Sequence, residues 1–253
     1  MSAVELVSFL GHARPDVRKM AVSGVLSFTA EDEGREALRG TDVVRQLARR
    51  ISDLDIIAKD AIAALVNLCG SRATLDDMVA AGLVGRVMEN LMSRRDKFVD
   101  VQLMLLTNLS ISEEGAEQVL QVREADGALL GLHLRRLLHW FLEEPAAAAA
   151  ATGGREKEEG PDPFQHVASL LANATQLEPG RQLLLNPELG LVARLVPQLR
   201  ADNVVRRRGV ARAFKNLCFE AERMEALTAG EGDVALALAD VVGPAGEEGG
   251  GGE

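Results

Sequence analysis

Groups able to do covalent chemistry are sparse in this 253-residue chain, which holds four histidines and two cysteines. His12, His133, His139 and His166 fall at unrelated places. His133 and His139, six residues apart, diverge around a helix instead of pairing. No HExxH, GxSxG, phosphate-loop or dinucleotide pattern occurs, so no catalytic group, metal site or cofactor is expected. What does recur at regular spacing is amides and guanidiniums. Asn67, Asn108, Asn173 and Asn216 each sit inside a short apolar run, as in Leu65, Val66, Asn67, Leu68 and Leu106, Thr107, Asn108, Leu109. A side-chain amide both donates and accepts, so a row of them can hydrogen-bond along the backbone of an extended chain. Arg206, Arg207, Arg208, Arg212 and Lys215 put five cations within ten residues. Such groups suit carboxylates.

The spacing of the asparagines dictates the elements that carry them. Asn67 and Asn108 are 41 residues apart and Asn173 and Asn216 are 43 apart. Ser27, in the run Val25, Leu26, Ser27, Phe28, is a degenerate first copy 40 residues before Asn67. The step from Asn108 to Asn173 is 65, one repeat plus about 24 residues. A period near 40 with apolar residues at helical spacing is the signature of an armadillo or HEAT type α-solenoid, here an all-α superhelix of about five repeats. Each unit buries its apolar face only against its neighbours.

Along the chain, 3–10, 17–28 and 35–38 read as helices of the first unit, with Pro15 at the first turn of the second helix. The second unit starts near Val43, has its inner helix at 58–69 and a short helix at 75–82. The third repeats this at 84–92, 98–110 and 114–122. The fourth opens with the apolar 129–142, which holds Trp140, and resumes at Phe164. Between them lies 143–163, Ala-, Gly- and Glu-rich with no apolar face, which reads as a disordered insertion. The fifth unit covers 191–199, 204–219 and 222–229. The domain reading is therefore repeats over 1–142, the insertion at 143–163, repeats over 164–230 and a Gly/Glu-rich disordered tail over 231–253.

Positions eight, four and zero before each asparagine share one face of the inner helix. In order these are Lys19, Ser23, Ser27; Lys59, Ala63, Asn67; Asp100, Met104, Asn108; Gln165, Ser169, Asn173; and Arg208, Arg212, Asn216. Positions two, three and six before are nearly all apolar and mark the packed side. Two readings of the asparagines stay open: each bonds only to the neighbouring repeat, or the row also grips a bound chain. Stacked helices lie about 10 Å apart and a strand advances about 3.3 Å per residue, so one asparagine meets every third residue of an extended peptide. At about 1 kcal/mol per net hydrogen bond, four give only millimolar affinity. Specificity would come from Arg206, Arg207, Arg208, Arg212 and Lys215, as a docking site for an acidic segment.

Composition narrows the partners. Net charge is −10, pI is near 5.0, aromatics are 3% and there is no Tyr. General nucleic-acid binding needs a positive footprint and stacking rings, so no nucleic acid is expected. Cys69 and Cys218 both stand two residues after an asparagine and read as small thiols, not a disulfide framework. No signal peptide or membrane span is apparent, which points to the cytoplasm, with nuclear entry left open.

The runs Leu65, Val66, Asn67, Leu68 with 75–82, Leu106, Thr107, Asn108, Leu109, Ser110, and 170–175 (LLANAT) with 180–184 (GRQLL) resemble the eukaryotic HGH family. The block 205–220 (VRRRGVARAFKNLCFE) is the most specific part, and the resemblance spans most of 3–220. It implies an armadillo-like cytosolic co-chaperone that assists folding of translation elongation factor 2 with the cytosolic chaperonin and Hsp90-linked co-chaperones. Members of that family continue into further helical repeats where this chain runs into its tail. A transport adaptor of the importin-α type resembles a Trp four residues before each Asn. Here those positions are Ala63, Met104, Ser169 and Arg212.

Overall fold

The computed structural model describes residues 2–93, 98–123, 130–152 and 162–220. Every regular element among them is helical. The first unit comprises α1 (Ala3–Phe9), α2 (Pro15–Ala30) and α3 (Asp32–Leu38), and the second α4 (Val43–Ala48), α5 (Asp55–Leu68) and α6 (Arg72–Ala80). The third comprises α7 (Leu83–Ser93), α8 (Val99–Leu109) and α9 (Glu113–Leu120), and the fourth α10 (Leu132–Thr152), α11 (His166–Ala174) and α12 (Glu178–Leu184). Helix α13 (Leu191–Leu195), a 3₁₀ turn over Val196–Arg200 and α14 (Val204–Leu217) follow. The helix expected over 222–229 and the tail lie outside the described residues.

Local chemistry sets the helix ends. Ser2 and Glu5 form a reciprocal capping box on α1, Pro15 opens α2, and Asn203 accepts from the first N–H groups of α14. Gly82 follows α6 with φ +72°, the left-handed conformation that a side chain disfavours. The insertion behaves differently from its expected irregularity. Helix α10 continues through the alanine run to Thr152, because alanine has the highest helix propensity of any residue. Residues 153–161 lie outside the description.

The inner helices form one layer in which α2 packs on α5, α5 on α8, α8 on α11 and α11 on α14. Their apolar sides carry the core: Ala21 and Val25, Ala61, Ala64 and Leu65, Leu105 and Leu106, Leu170 and Leu171, Ala213 and Phe214 are all buried. At Gly209 the layer is at its tightest, since a Cβ there would lie 2.5 Å from the Ala168 carbonyl carbon. A second close approach repeats with the units. Gly34, Gly115 and Gly180, each seven residues after the ladder position, bring the short third helix against the carbonyl of Phe28, Leu109 or Ala174. A Cβ would come within 2.0–2.1 Å of that oxygen. In the second unit Thr74 holds this place.

Polar groups also tie units together. Arg18 pairs with Asp53 at 2.8 Å, and Arg50 joins the same carboxylate at 2.9 Å. Asn90, buried, donates to Ile51 O at 3.3 Å and to Gln102 Oε1 at 2.8 Å. Gln102 occupies the packed face of α8, where an apolar residue is the rule.

Arg206 closes the insertion. Only 4% exposed, its guanidinium pairs with Asp162, donates to Phe141 O at 2.8 Å and to Gln198 Oε1 at 3.2 Å, and stacks 4.0 Å over the Phe141 ring. Phe141 precedes the insertion and Asp162 ends it, so one side chain holds both ends. Arg206 is therefore not a groove residue as expected from sequence. It lies on the packed side of α14, ten residues before Asn216, where a helix has turned its side chain away from the stripe.

Three outcomes test this framework by urea unfolding. Leu68→Ala removes a buried leucine and should cost about 2–5 kcal/mol. Arg206→Ala takes the guanidinium from Asp162, from the buried Phe141 O and from the half-buried Gln198 Oε1 and should cost about 3–5 kcal/mol, against about 0.5 kcal/mol or less for a change at exposed Arg208. Hydrogen bonding from Arg18 holds the Asp53 carboxyl below its ordinary range. A depressed carboxyl adds stability that is present above its unfolded value of about 4 and lost as pH falls through the folded value. Asp53→Asn should thus destabilise at neutral pH, and the gap to wild type should close as the pH is lowered below about 4.

Candidate functional site

The stripe expected from helical spacing faces outward. Lys19, Ser23 and Ser27 on α2, Lys59 on α5, Asp100 on α8 and Arg208 and Arg212 on α14 are exposed. Ala63, Asn67, Met104, Asn108, Gln165, Ser169, Asn173 and Asn216 are half-buried. One helix face after another in the layer thus presents a polar row beside the apolar side that packs.

Within this row the asparagines bond backwards, each to the preceding unit. Asn67 Nδ2 donates to Thr29 Oγ1 at 3.1 Å. Asn108 hydrogen-bonds the Cys69 thiol. Asn173 Nδ2 donates to Ser110 Oγ at 2.9 Å and Thr107 O at 3.0 Å. Asn216 Nδ2 donates to Thr175 Oγ1 and Ala172 O, both at 3.0 Å. The four partners Thr29, Cys69, Ser110 and Thr175 stand two residues after the previous ladder position. Each passes its own proton to a carbonyl of its helix: Thr29 to Leu26, Cys69 to Leu65, Ser110 to Thr107 and Thr175 to Leu171. Four separate links of carbonyl, hydroxyl or thiol, and amide therefore join each unit to the next.

These bonds use the amide nitrogen. No donor among the described residues reaches Oδ1 of Asn67, Asn173 or Asn216, and an amide oxygen has two acceptor sites. The two readings of the asparagines are thus compatible: the amide nitrogen joins repeats, and the oxygen accepts from no described residue.

The five cations divide. Arg206 is the buried clasp described above. Arg207 donates to Ala201 O at 2.6 Å and Asp202 O at 3.4 Å, tying down the loop before α14. Arg208, Arg212 and Lys215 are exposed, and no carboxylate among the described residues pairs with them. Of the sequence-predicted cluster, these three remain beside the asparagine row.

The covalent candidates offer less. Burial pushes the Cys69 thiol up to about 12, against the pull of the Asn108 hydrogen bond, so the thiolate needed for a nucleophile is not populated at neutral pH. Burial holds His166 below its ordinary value, countered by Asp100 and Asp162. Among the described residues, no three His, Cys, Asp or Glu side chains gather as a metal site, and no helix is long and apolar enough to cross a membrane. Sequence reading missed the partners in these links and the Asn90–Gln102 pair. The signal for the first was present: a hydroxyl or thiol recurs two residues after each ladder position.

Solved structures with this arrangement are armadillo repeat proteins. A designed armadillo repeat protein, YIII(Dq)4CqI, matches with a TM-score of 0.66 at 16% identity over 85% of this chain and 82% of its own. A second, YIII(Dq.V1)4CPAF in complex with peptide (KR)4, matches with a TM-score of 0.66 at 13% identity over 96% and 98%. The fold is an armadillo-like α-solenoid. In sequence, residues 90–242 match a domain of unknown function, DUF383. Proteins described as HGH1 homologues are similar along most of the chain: 23% identity over 235 residues in Dictyostelium discoideum, 92% of this chain and 63% of that protein. The Homo sapiens homologue is 30% identical over 235 residues, 91% of this chain and 57% of that protein. The chain thus spans about six tenths of the length of these relatives. Since the domain match covers more than half the chain and the similarity runs through the stacked inner helices and the 205–220 block, the protein belongs to the HGH1 family.

Proposed function

We propose that this protein is a non-catalytic, protein-binding repeat adaptor whose asparagine row holds an extended segment of a partner. The observation that carries this reading is the set of half-buried amides along the row whose Oδ1 atoms on α5, α11 and α14 accept from no described residue, beside Arg208, Arg212 and Lys215, which pair with no carboxylate among the described residues. Each Oδ1 can accept from a peptide N–H at little cost in order, because the Nδ2 bonds already hold the amide in place. A designed protein of the same fold is described in complex with a peptide, which supports use of this architecture for extended chains. Side chains on the stacked helices do binding work of this kind without a nucleophile, a metal or a cofactor.

The finer reading rests on the family. The partner is translation elongation factor 2 during its folding, and the adaptor works with the cytosolic chaperonin and Hsp90-linked co-chaperones in the cytoplasm. A transport adaptor gripping basic peptides is disfavoured by the stripe itself, where Arg212 occupies the position that resembles an importin-type Trp and repels a basic segment.

A pulse-labelled pull-down from eukaryotic lysate with the 1–253 chain tests the proposal. Enrichment of newly made elongation factor 2 is the expected outcome. Retention of chaperonin without the client would restrict this chain to chaperonin contact, and retention of neither would remove the co-chaperone reading.

A further inference from the structure

The stripe has a charge opposite to that of the whole protein. At its lining positions stand Lys19, Lys59, Arg208 and Arg212 against the single carboxylate of Asp100, with Lys215 beside Arg212. The sequence as a whole carries 38 acidic and 28 basic residues. Several arginines elsewhere are matched, since Arg14, Arg18, Arg45, Arg72, Arg181 and Arg194 each hold a carboxylate, whereas Arg49 and Arg86 form no ion pair among the described residues. No carboxylate among the described residues pairs with the stripe's cations. Three of them, Arg208, Arg212 and Lys215, are concentrated on the exposed side of α14, next to Asn216 and one helix away from Asn173.

Resting on the groove reading, we propose that the row takes an acidic extended peptide, with its carboxylates at the α14 end against Arg208, Arg212 and Lys215. The chemistry of the row separates this partner from other polyanions. The amide atoms of Asn67, Asn173 and Asn216 that no described residue engages are acceptors, so a backbone laid on them must supply donors. A peptide offers an N–H at every residue except proline. A phosphodiester backbone offers only acceptors, and the stripe positions carry no aromatic ring on which bases would stack. Carboxylates on a peptide satisfy both features at once: N–H donors for the amide oxygens and anions for the guanidiniums, which grip carboxylates with a fork of N–H groups.

Fluorescence anisotropy on the 1–253 chain at low salt tests this directly. The probes are three labelled peptides in which Ser alternates with Glu, Gly or Lys, and an oligothymidine of equal length. Exposed ion pairs are individually weak, so three together should make the Glu peptide bind roughly tenfold more tightly than the Gly peptide. This preference should fade as salt rises. Arg208→Gln with Arg212→Gln should remove the preference. Arg208→Glu with Arg212→Glu should turn it toward the Lys peptide, with the circular dichroism of both variants unchanged because both side chains are exposed. Equal binding of the Glu and Gly peptides overturns the acidic partner and leaves the groove standing. Binding of no peptide overturns the groove as well. Oligothymidine bound more tightly than the Glu peptide overturns the peptide assignment in favour of a nucleic acid.

Discussion

Each inner helix of this protein has an apolar side that its own unit leaves uncovered, and the inner helix of the next unit is what covers it. Ala61, Ala64 and Leu65 on α5 meet their counterparts on α2 and α8, and Ala213 and Phe214 on α14 are buried against α11. Small residues at these contacts let the helices approach closely, most of all where Gly209 passes Ala168. Once that side is committed to the core, the helical repeat leaves the positions four and eight residues before each asparagine outside. The functional row is thus a consequence of how the layer packs.

The same geometry explains why asparagine occurs at the edge of the layer. There the last turn of one inner helix lies beside the next unit, and its carbonyls and hydroxyls need donors. The amide nitrogen supplies one, and its oxygen accepts from no described residue on α5, α11 and α14. A residue with a donor and an acceptor on opposite arms of a planar group suits a site that must face both neighbour and solvent. The hydroxyl or thiol two residues on completes the connection and polarises it, since each group donates as well as accepts.

Arg206 shows how an insertion is accommodated within such a layer. A guanidinium has donors enough to hold Asp162, Phe141 O and Gln198 together while its face rests on the Phe141 ring. The fourth unit keeps its register on either side of the extra residues because their ends are pinned to α14. Loop closure itself adds little to this cost, since its entropy grows only slowly with length.

The repeat, the helix phases and the outward stripe were legible from the spacing of Asn67, Asn108, Asn173 and Asn216 and from the apolar residues around them, because helical periodicity ties sequence position to a face. The capping at Pro15 and Gly82 was legible for the same local reason. Tertiary structure alone decided which arginines of the 206–212 cluster are free. Arg206 and Arg208 are alike in composition and two residues apart, yet two residues is about 200° around a helix, enough to put one in the core and the other in solvent. The partners that make Arg206 buried and satisfied, Phe141 and Asp162, lie across the insertion, far away in sequence. The same holds for Gln102, polar on an apolar face, whose partner Asn90 comes from another helix. Local pattern specifies where a side chain points, whereas what it meets there depends on segments that only folding brings together.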